Sequence, residues 1–179
     1  DALKQLKASL FSDYSIRPAR LDDCASIALI QVDSYRTAYF GIFPQEYFDQ
    51  FSYTDQEQDW RDFLNAGLED ALLVAESEHG EIIGYALARS GMTNVPPYDS
   101  ELVSLHVRRF HQGLGVGQAL FQACARSMQE NGCHSLMLWV LEQNTSARRF
   151  YEHLCGKLLE PRQLSQGIAV EVAYGWELT

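Results

Sequence analysis

The chain has 179 residues, 46% of them hydrophobic and 21% charged, and its 14 Lys and Arg against 24 Asp and Glu give a net charge of -10. This composition excludes disorder and collagen-like repeats, and a chain of this length buries roughly 70% of its unfolded surface without a disulfide or structural metal. The acidic sign opposes counterion-release binding to nucleic acid and attraction to anionic lipid, so neither is expected as a partner.

No apolar run approaches the roughly 18 residues that span a bilayer, and the first residues lack the apolar stretch of a secretory signal, so a cytoplasmic protein is expected. Residues 1–12 read as a flexible segment and 13–179 as one domain. Ser15 to Pro18 reads as a short edge strand. Asp22 or Asp23 then offers a cap to a helix whose face carries Cys24, Ile27, Ala28, Gln31, Tyr35, Ala38 and Tyr39, with Gly41 as its stop. Pro44 starts a short helix to about Phe51, and Thr54 to Leu68 reads as another, carrying Trp60, Phe63 and Leu64.

The period then changes to that of strands. Ala71 to Glu76 and Ile82 to Arg89 form a hairpin, and Glu101 to Val107 follows after a loop, with Val103, Leu105 and Val107 expected on one face. Gly117 to Asn131 is an amphipathic helix with Leu120, Phe121, Cys124 and Met128 inward. Ser135 to Val140 suits a buried strand, Ser146 to Leu154 a helix, and Lys157 to Glu160 and Ile168 to Leu178 two final strands. The order predicts a mixed α/β sheet with helices on both faces. Cys24, Cys124, Cys133 and Cys155 form no CxxC pair and read as buried free thiols.

Charge is unevenly spread: residues 1–101 hold 18 acids against 7 Lys and Arg, and residues 102–179 hold 6 against 7. Between Leu102 and Gln129 there is no acid at all, while Arg108, Arg109 and Arg126 lie there, which suits a bound anion. The same stretch contains Val107-Arg-Arg-Phe-His-Gln-Gly-Leu-Gly-Val-Gly117, a strand passing through a turn into a helix start. Alternating glycines let amide N–H groups point into one concavity, and the helix adds about half a positive charge at its N-terminus, which together make a phosphate cradle. A nucleoside-triphosphatase loop would need Gly-Lys-Ser/Thr, but Gln118 and Ala119 follow Gly117. The dinucleotide pattern G-x-G-x-x-G/A also fails, with Gln118 or Leu120 at its last position. No histidine has a partner at zinc spacing, and neither G-x-S-x-G nor a Cys-His pair supports covalent catalysis.

The segment Gln112-Gly-Leu-Gly-Val-Gly117, preceded by Leu105-His-Val107, resembles motif A of the GNAT superfamily of N-acetyltransferases, Q/R-x-x-G-x-G/A at the end of the fourth strand. Asn144-Thr-Ser-Ala147-Arg-Arg-Phe150-Tyr151 resembles the second motif, N-x-x-A-x-x-F-Y, after the fifth strand, and the resemblance runs from about Ile16 to Glu177. One position departs: Cys155 precedes Gly156 where relatives commonly carry two glycines.

The resemblance implies a single-domain, mostly antiparallel sheet of about seven strands, with strands four and five splayed, and acetyl-CoA as cosubstrate. The main chain of Gln112, Gly113, Leu114, Gly115, Val116 and Gly117 would hold the pyrophosphate. Leu105, His106 and Val107 would line the pantetheine arm as a neighbouring strand does, Asn144 would hydrogen-bond the arm, and Ala147 and Phe150 complete that motif. Tyr151 matches the tyrosine that protonates the leaving thiolate, and Glu101 the general base of some branches.

The reaction needs such a base: an amine of pKa about 10.4 is neutral in only about 1 molecule in 2,500 at pH 7, a penalty near 4.6 kcal/mol. Tyr35, Tyr39 and Phe40, with Trp60, would wall the acceptor pocket. The acidic first 101 residues would favour a cationic small-molecule or peptide amine. A non-catalytic CoA-binding sensor and an O-acyltransferase share every motif seen here, and the assembly stays open between monomer and homodimer.

Overall fold

A computed structural model describes residues 13–67, 71–91, 93–164 and 169–179. The terminal segment 1–12, the expected helix end at Leu68 and the expected strand start at Ile168 lie outside them. In chain order the elements are β1 (Tyr14–Pro18), α1 (Cys24–Ala38), α2 (Gln45–Asp49), α3 (Tyr53–Asn65), β2 (Ala71–Ser77), β3 (Ile82–Ser90), β4 (Ser100–Val107), α4 (Val116–Glu130), β5 (Ser135–Leu141), α5 (Thr145–His153), β6 (Lys157–Leu158), β7 (Arg162–Gln163) and β8 (Val170–Glu177). The strands form one open sheet in the order β1-β2-β3-β4-β5-β8-β6, with β7 also on β8, eight strands in all. Every pairing is antiparallel except β4 with β5.

Apolar side chains cover both faces. On one, α4 lays Leu120, Phe121, Cys124 and Met128 against Ile83, Leu102, Leu136, Leu138 and Val172. On the other, α1 and α3 bury Cys24, Ile27, Ala28 and Trp60 against Leu72, Val74, Tyr85 and Leu87. At the start of α1 the expected Asp23 cap is otherwise engaged. Its carboxylate accepts from the Arg20 amide and pairs with Arg17, which also reaches Glu76 and so ties β1 to β2.

Two details of β4 differ from expectation. The β3–β4 register shifts between Leu87 and Ala88, so that Ala88 faces Leu102 while Leu87 faces Ser104. Val103 is the extra residue of this bulge. It is turned out to 49% exposure, and Leu102, rather than Val103, shares the core face with Leu105 and Val107. Towards the chain's end, the expected strand over Lys157 to Glu160 is shortened to β6, and a second two-residue strand, β7, follows it. Cys155 is exposed, unlike the other three free thiols, because it is the left-handed residue (φ 61°) that turns α5 into β6.

The parallel pair is fastened at one end only. The Asp99 carboxylate accepts from the amides of His134 and Ser135 and from Ser135 Oγ, each at 2.9 Å, and the Asp99 amide donates back to Ser135 Oγ at 3.0 Å. Ser100 Oγ donates to the Ser135 carbonyl. Beyond this clamp the strands share a single registered pair, Glu101 with Met137, and then diverge.

Burial works against ionisation of Asp99, but the donors from His134 and Ser135 outweigh it and hold its carboxyl below the ordinary range. The clamp therefore adds stability that is complete above the unfolded carboxyl pKa and is lost as pH falls through the lower folded one. Asp99→Ala leaves Ser135 without its acceptor and is expected to cost about 1–3 kcal/mol in denaturant unfolding at pH 7. The wild-type and mutant stabilities should converge as the pH is lowered below about 4.

Candidate active site

Divergence of β4 and β5 opens a cleft of about 1270 Å³, walled by β4, the Arg108–Gln118 turn, the end of α1, β5 and the face of α5. Drug-sized and cofactor ligands occupy clefts of this order. The amide of Arg108 donates to Ile83 in β3. Antiparallel alternation then points the main chain of His106 at β3 and turns the main chains of Leu105 and Val107 into the opening. The edge that β5 would otherwise pair is thus exposed as a row of strand donors and acceptors.

At the open end, Gly113 and Gly115 adopt φ of 76° and 86°, a left-handed backbone that disfavours any side chain. Gly115 is the N-cap of α4 and supplies no capping side chain. Among the described residues, the amides from Gly113 to Gln118 find no backbone acceptor. They form a nest of free donors on the positive end of a 15-residue helix. A Cβ on Gly117 would stand 3.3 Å from the Phe150 ring and 3.6 Å from Leu105, so glycine lets α4 close down on α5 and β4. Gln112 Nε2 donates to the Val107 carbonyl at 2.9 Å and pins the turn to the strand. Leu114 and Val116 do not line the cleft; Val116 is in the core, and both can offer only their amides.

Across the opening, Asn144 Oδ1 caps α5 by accepting from the Ala147 amide at 3.2 Å. Ala147, Phe150 and Tyr151 all reach the cleft. Tyr151 is 8% exposed, packed by Phe150, Tyr174 and Trp176, and burial keeps its phenol well above its ordinary pKa.

The second side of the cleft is aromatic. Tyr35 and Tyr39 line it and continue a chain of ring contacts through Phe43, Tyr47 and Phe51. Burial, then Tyr35, Tyr47, Glu171 and Tyr151, raise the pKa of Tyr39, which places that phenol within electrostatic reach of both Glu171 and Tyr151. His106 projects its ring between Tyr35 and Tyr85, at centroid distances of 5.6 and 5.5 Å. Burial lowers its pKa to about 4, so it is neutral at pH 7.

Three expected residues, Trp60, Glu101 and Phe40, are not brought to the cleft lining. Trp60 is spent in the core, stacked edge-on with Tyr85 and donating to Gln31 at 2.7 Å. Glu101 lies at the neck beside the clamp, half-buried and off the cleft lining. Burial and Glu171 raise its carboxyl against the pull of Arg162 and Arg89. Phe40 is 81% exposed. Conversely, Trp139 and Glu171 line the cleft and were not singled out from the sequence. Their only signal there is alternation along β5 and β8, which puts them on one face with Leu141.

Residues 32–156 match the acetyltransferase (GNAT) family. The chain is 30% identical over 163 residues to the uncharacterised N-acetyltransferase YuaI of Bacillus subtilis, covering 90% of this chain and 92% of that one. Among solved structures, the PaiA N-acetyltransferase of Thermoplasma acidophilum in complex with coenzyme A superposes with a TM-score of 0.72 at 17% identity, over 92% of this chain and 99% of that one. YncA of Salmonella typhimurium, a putative acetyltransferase with acetyl-CoA, gives 0.71 at 23% identity, over 93% and 95%. These two likenesses establish the fold. No helix among the described residues is long and apolar enough to cross a membrane.

The neutral state of His106 is testable. Unfolded, an imidazole of pKa about 6.5 takes up a proton that the folded ring refuses until about pH 4. Stability should fall as pH drops from about 6.5 to 4, and His106→Gln should flatten that slope in thermal unfolding scans.

Proposed function

Because the chain belongs to the GNAT family of acetyltransferases, we propose that it transfers an acetyl group from acetyl-CoA directly to an amine in the gap between β4 and β5. The observation that carries this reading is the run of unpaired amides from Gly113 to Gln118 at the mouth of a strand edge left open by its neighbour. The donor set fits a diphosphate followed by an extended amide-bearing arm: anion donors at the helix start, strand-like donors and acceptors at Leu105 and Val107, and the remaining Asn144 amide opposite them.

Bound there, acetyl-CoA supplies an acyl group activated as a thioester, whose leaving thiolate is the base of a thiol of pKa about 8.5. The chain's own work is positional and protolytic. Phe150 and Ala147 close the wall beside the arm. The Val107 or a neighbouring amide is aimed where a carbonyl oxygen would gain charge. Tyr151 keeps its proton throughout the neutral range, because burial disfavours its anion, and hands it to the departing sulfur.

A proton from the amine reaches Glu101 at the neck only through intervening water, since its carboxylate is off the cleft wall. The aromatic side, fed by the acidic first half of the chain, receives the acceptor. Retention of both a buried phenol and a half-buried carboxylate beside the gap favours turnover over a sensor that only binds.

Calorimetric titration with coenzyme A is expected to give saturable binding, which Gly117→Val, by pushing Phe150 and Leu105 apart, weakens by about 10-fold or more. Release of thiol from acetyl-CoA with an amine mixture tests the transfer itself; binding without release leaves only the sensor, and an ester product the O-acyltransferase. Tyr151→Phe should lower kcat by about 10- to 100-fold with coenzyme A affinity unchanged.

A further inference from the structure

The acceptor side contains a carboxylate held in a way that nothing in the reaction above uses. Glu171, on β8 opposite Leu141, lines the cleft with its side chain only 16% exposed. Its Oε2 accepts from Nε of Arg162 at 2.8 Å, and Nη2 of the same guanidinium stands 2.8 Å from it as an ion pair. Arg162 does not itself line the cleft: it stands on β7 with its guanidinium carbon 3.8 Å from the centre of the Trp139 ring, which does. One arginine therefore braces, from outside, both a carboxylate and an indole of the cleft wall. Glu171 Oε1 has no hydrogen-bond partner among the described residues.

Tyr39, just past the end of α1, lines the same cleft, while Tyr47 of α2 is off the lining and stacked on Phe43; both phenols feel the Glu171 charge, and Tyr39 also feels Tyr151. Asp33, also on the wall, has its carboxylate taken by the Tyr53 hydroxyl.

Resting on the reading of the cleft as an acetyl-transfer site, we propose that Glu171 is the residue that receives the acceptor and that the acceptor is an alkylammonium, held by Oε1 and by the ring of Tyr39. A carboxylate oxygen without a protein donor, beside an aromatic ring, is an electron-rich surround that favours an ammonium group. An acceptor bearing a carboxylate near its amine would meet Glu171, with Arg162 already bonded to it.

The test uses the full chain saturated with coenzyme A and titrated with n-butylammonium, n-butanol and butyrate, read by calorimetry and tryptophan fluorescence. Wild type should bind n-butylammonium about 10-fold or more tightly than n-butanol, and butyrate more weakly than either. Glu171→Gln should bring n-butylammonium down to the level of n-butanol with coenzyme A affinity unchanged. Should that variant fold poorly, Arg162→Gln, which leaves the carboxylate charged but unbraced, must still weaken n-butylammonium severalfold. Unaltered n-butylammonium affinity in a folded Glu171→Gln protein, or preference for butyrate, overturns the proposal. Failure of coenzyme A to bind the wild type would instead strike the acetyl-transfer reading, and the same titrations on the protein alone then decide the role of Glu171.

Discussion

A parallel strand pair that is tied at one end and loose at the other is the constraint on which the rest of this structure depends. Eight residues of β4 and seven of β5 could in principle form a full ladder, yet only Glu101 and Met137 are in register. Asp99 makes this possible by replacing ladder bonds with side-chain ones. Its carboxylate satisfies the first amides of the β5 end, so the pair holds without the strands having to run alongside each other. The bulge at Val103 then alters the twist of β4 just past the neck, where the partner strand departs. An unpaired strand edge inside a protein is ordinarily a liability, because every amide on it has lost water. Here the edge faces a cleft, and its unmet donors and acceptors are what a ligand can meet.

The two sides of that opening are chemically unlike, and the sheet enforces the difference. Alternation sends Leu105 and Val107 to the face of α4 and sends Ser104 and His106 to the face of α1. Main-chain donors and a helix start therefore gather at one mouth, while aromatic rings and carboxylates gather on the other side. Arg108 is partly neutralised by Glu81 at 2.7 Å, while Arg109, also on the cleft lining, adds its charge to the amides and the helix end at the turn. Under the proposed transfer to an ammonium-bearing acceptor, such separation keeps an anionic carrier and a cationic acceptor from competing for one pocket.

The fold and the anion side were legible in the sequence because their determinants are local. Gly113, Gly115 and Gly117 are constrained by backbone angles and one close approach, Asn144 by a helix start, and Phe150 and Tyr151 by helical spacing. The acceptor side was not, because its residues are assembled across the sheet. Trp139 and Glu171 sit on paired strands that are far apart in sequence, and both are held by Arg162, which belongs to a two-residue strand with no periodicity to read. Trp60 illustrates the converse. Its helical stripe is real, but α3 packs against α1 and β3, so the stripe faces the core and not the cleft. Val103 was misassigned for a third reason: strict period-two counting cannot see an inserted residue.

Tyr151 and His106 show how the same burial serves opposite ends. Desolvation disfavours the charged form of each, holding the phenol protonated and the imidazole unprotonated across the neutral range. A protonated phenol can give a proton to an emerging anion. A neutral imidazole adds no positive charge to the side of the cleft that the proposed ammonium acceptor would enter. Were His106 solvated and charged, it would stand against the approaching ammonium between Tyr35 and Tyr85; kept neutral, it is one more polarisable wall. The low dielectric that makes the Glu101 carboxylate costly to ionise also strengthens any bond it forms to a cation.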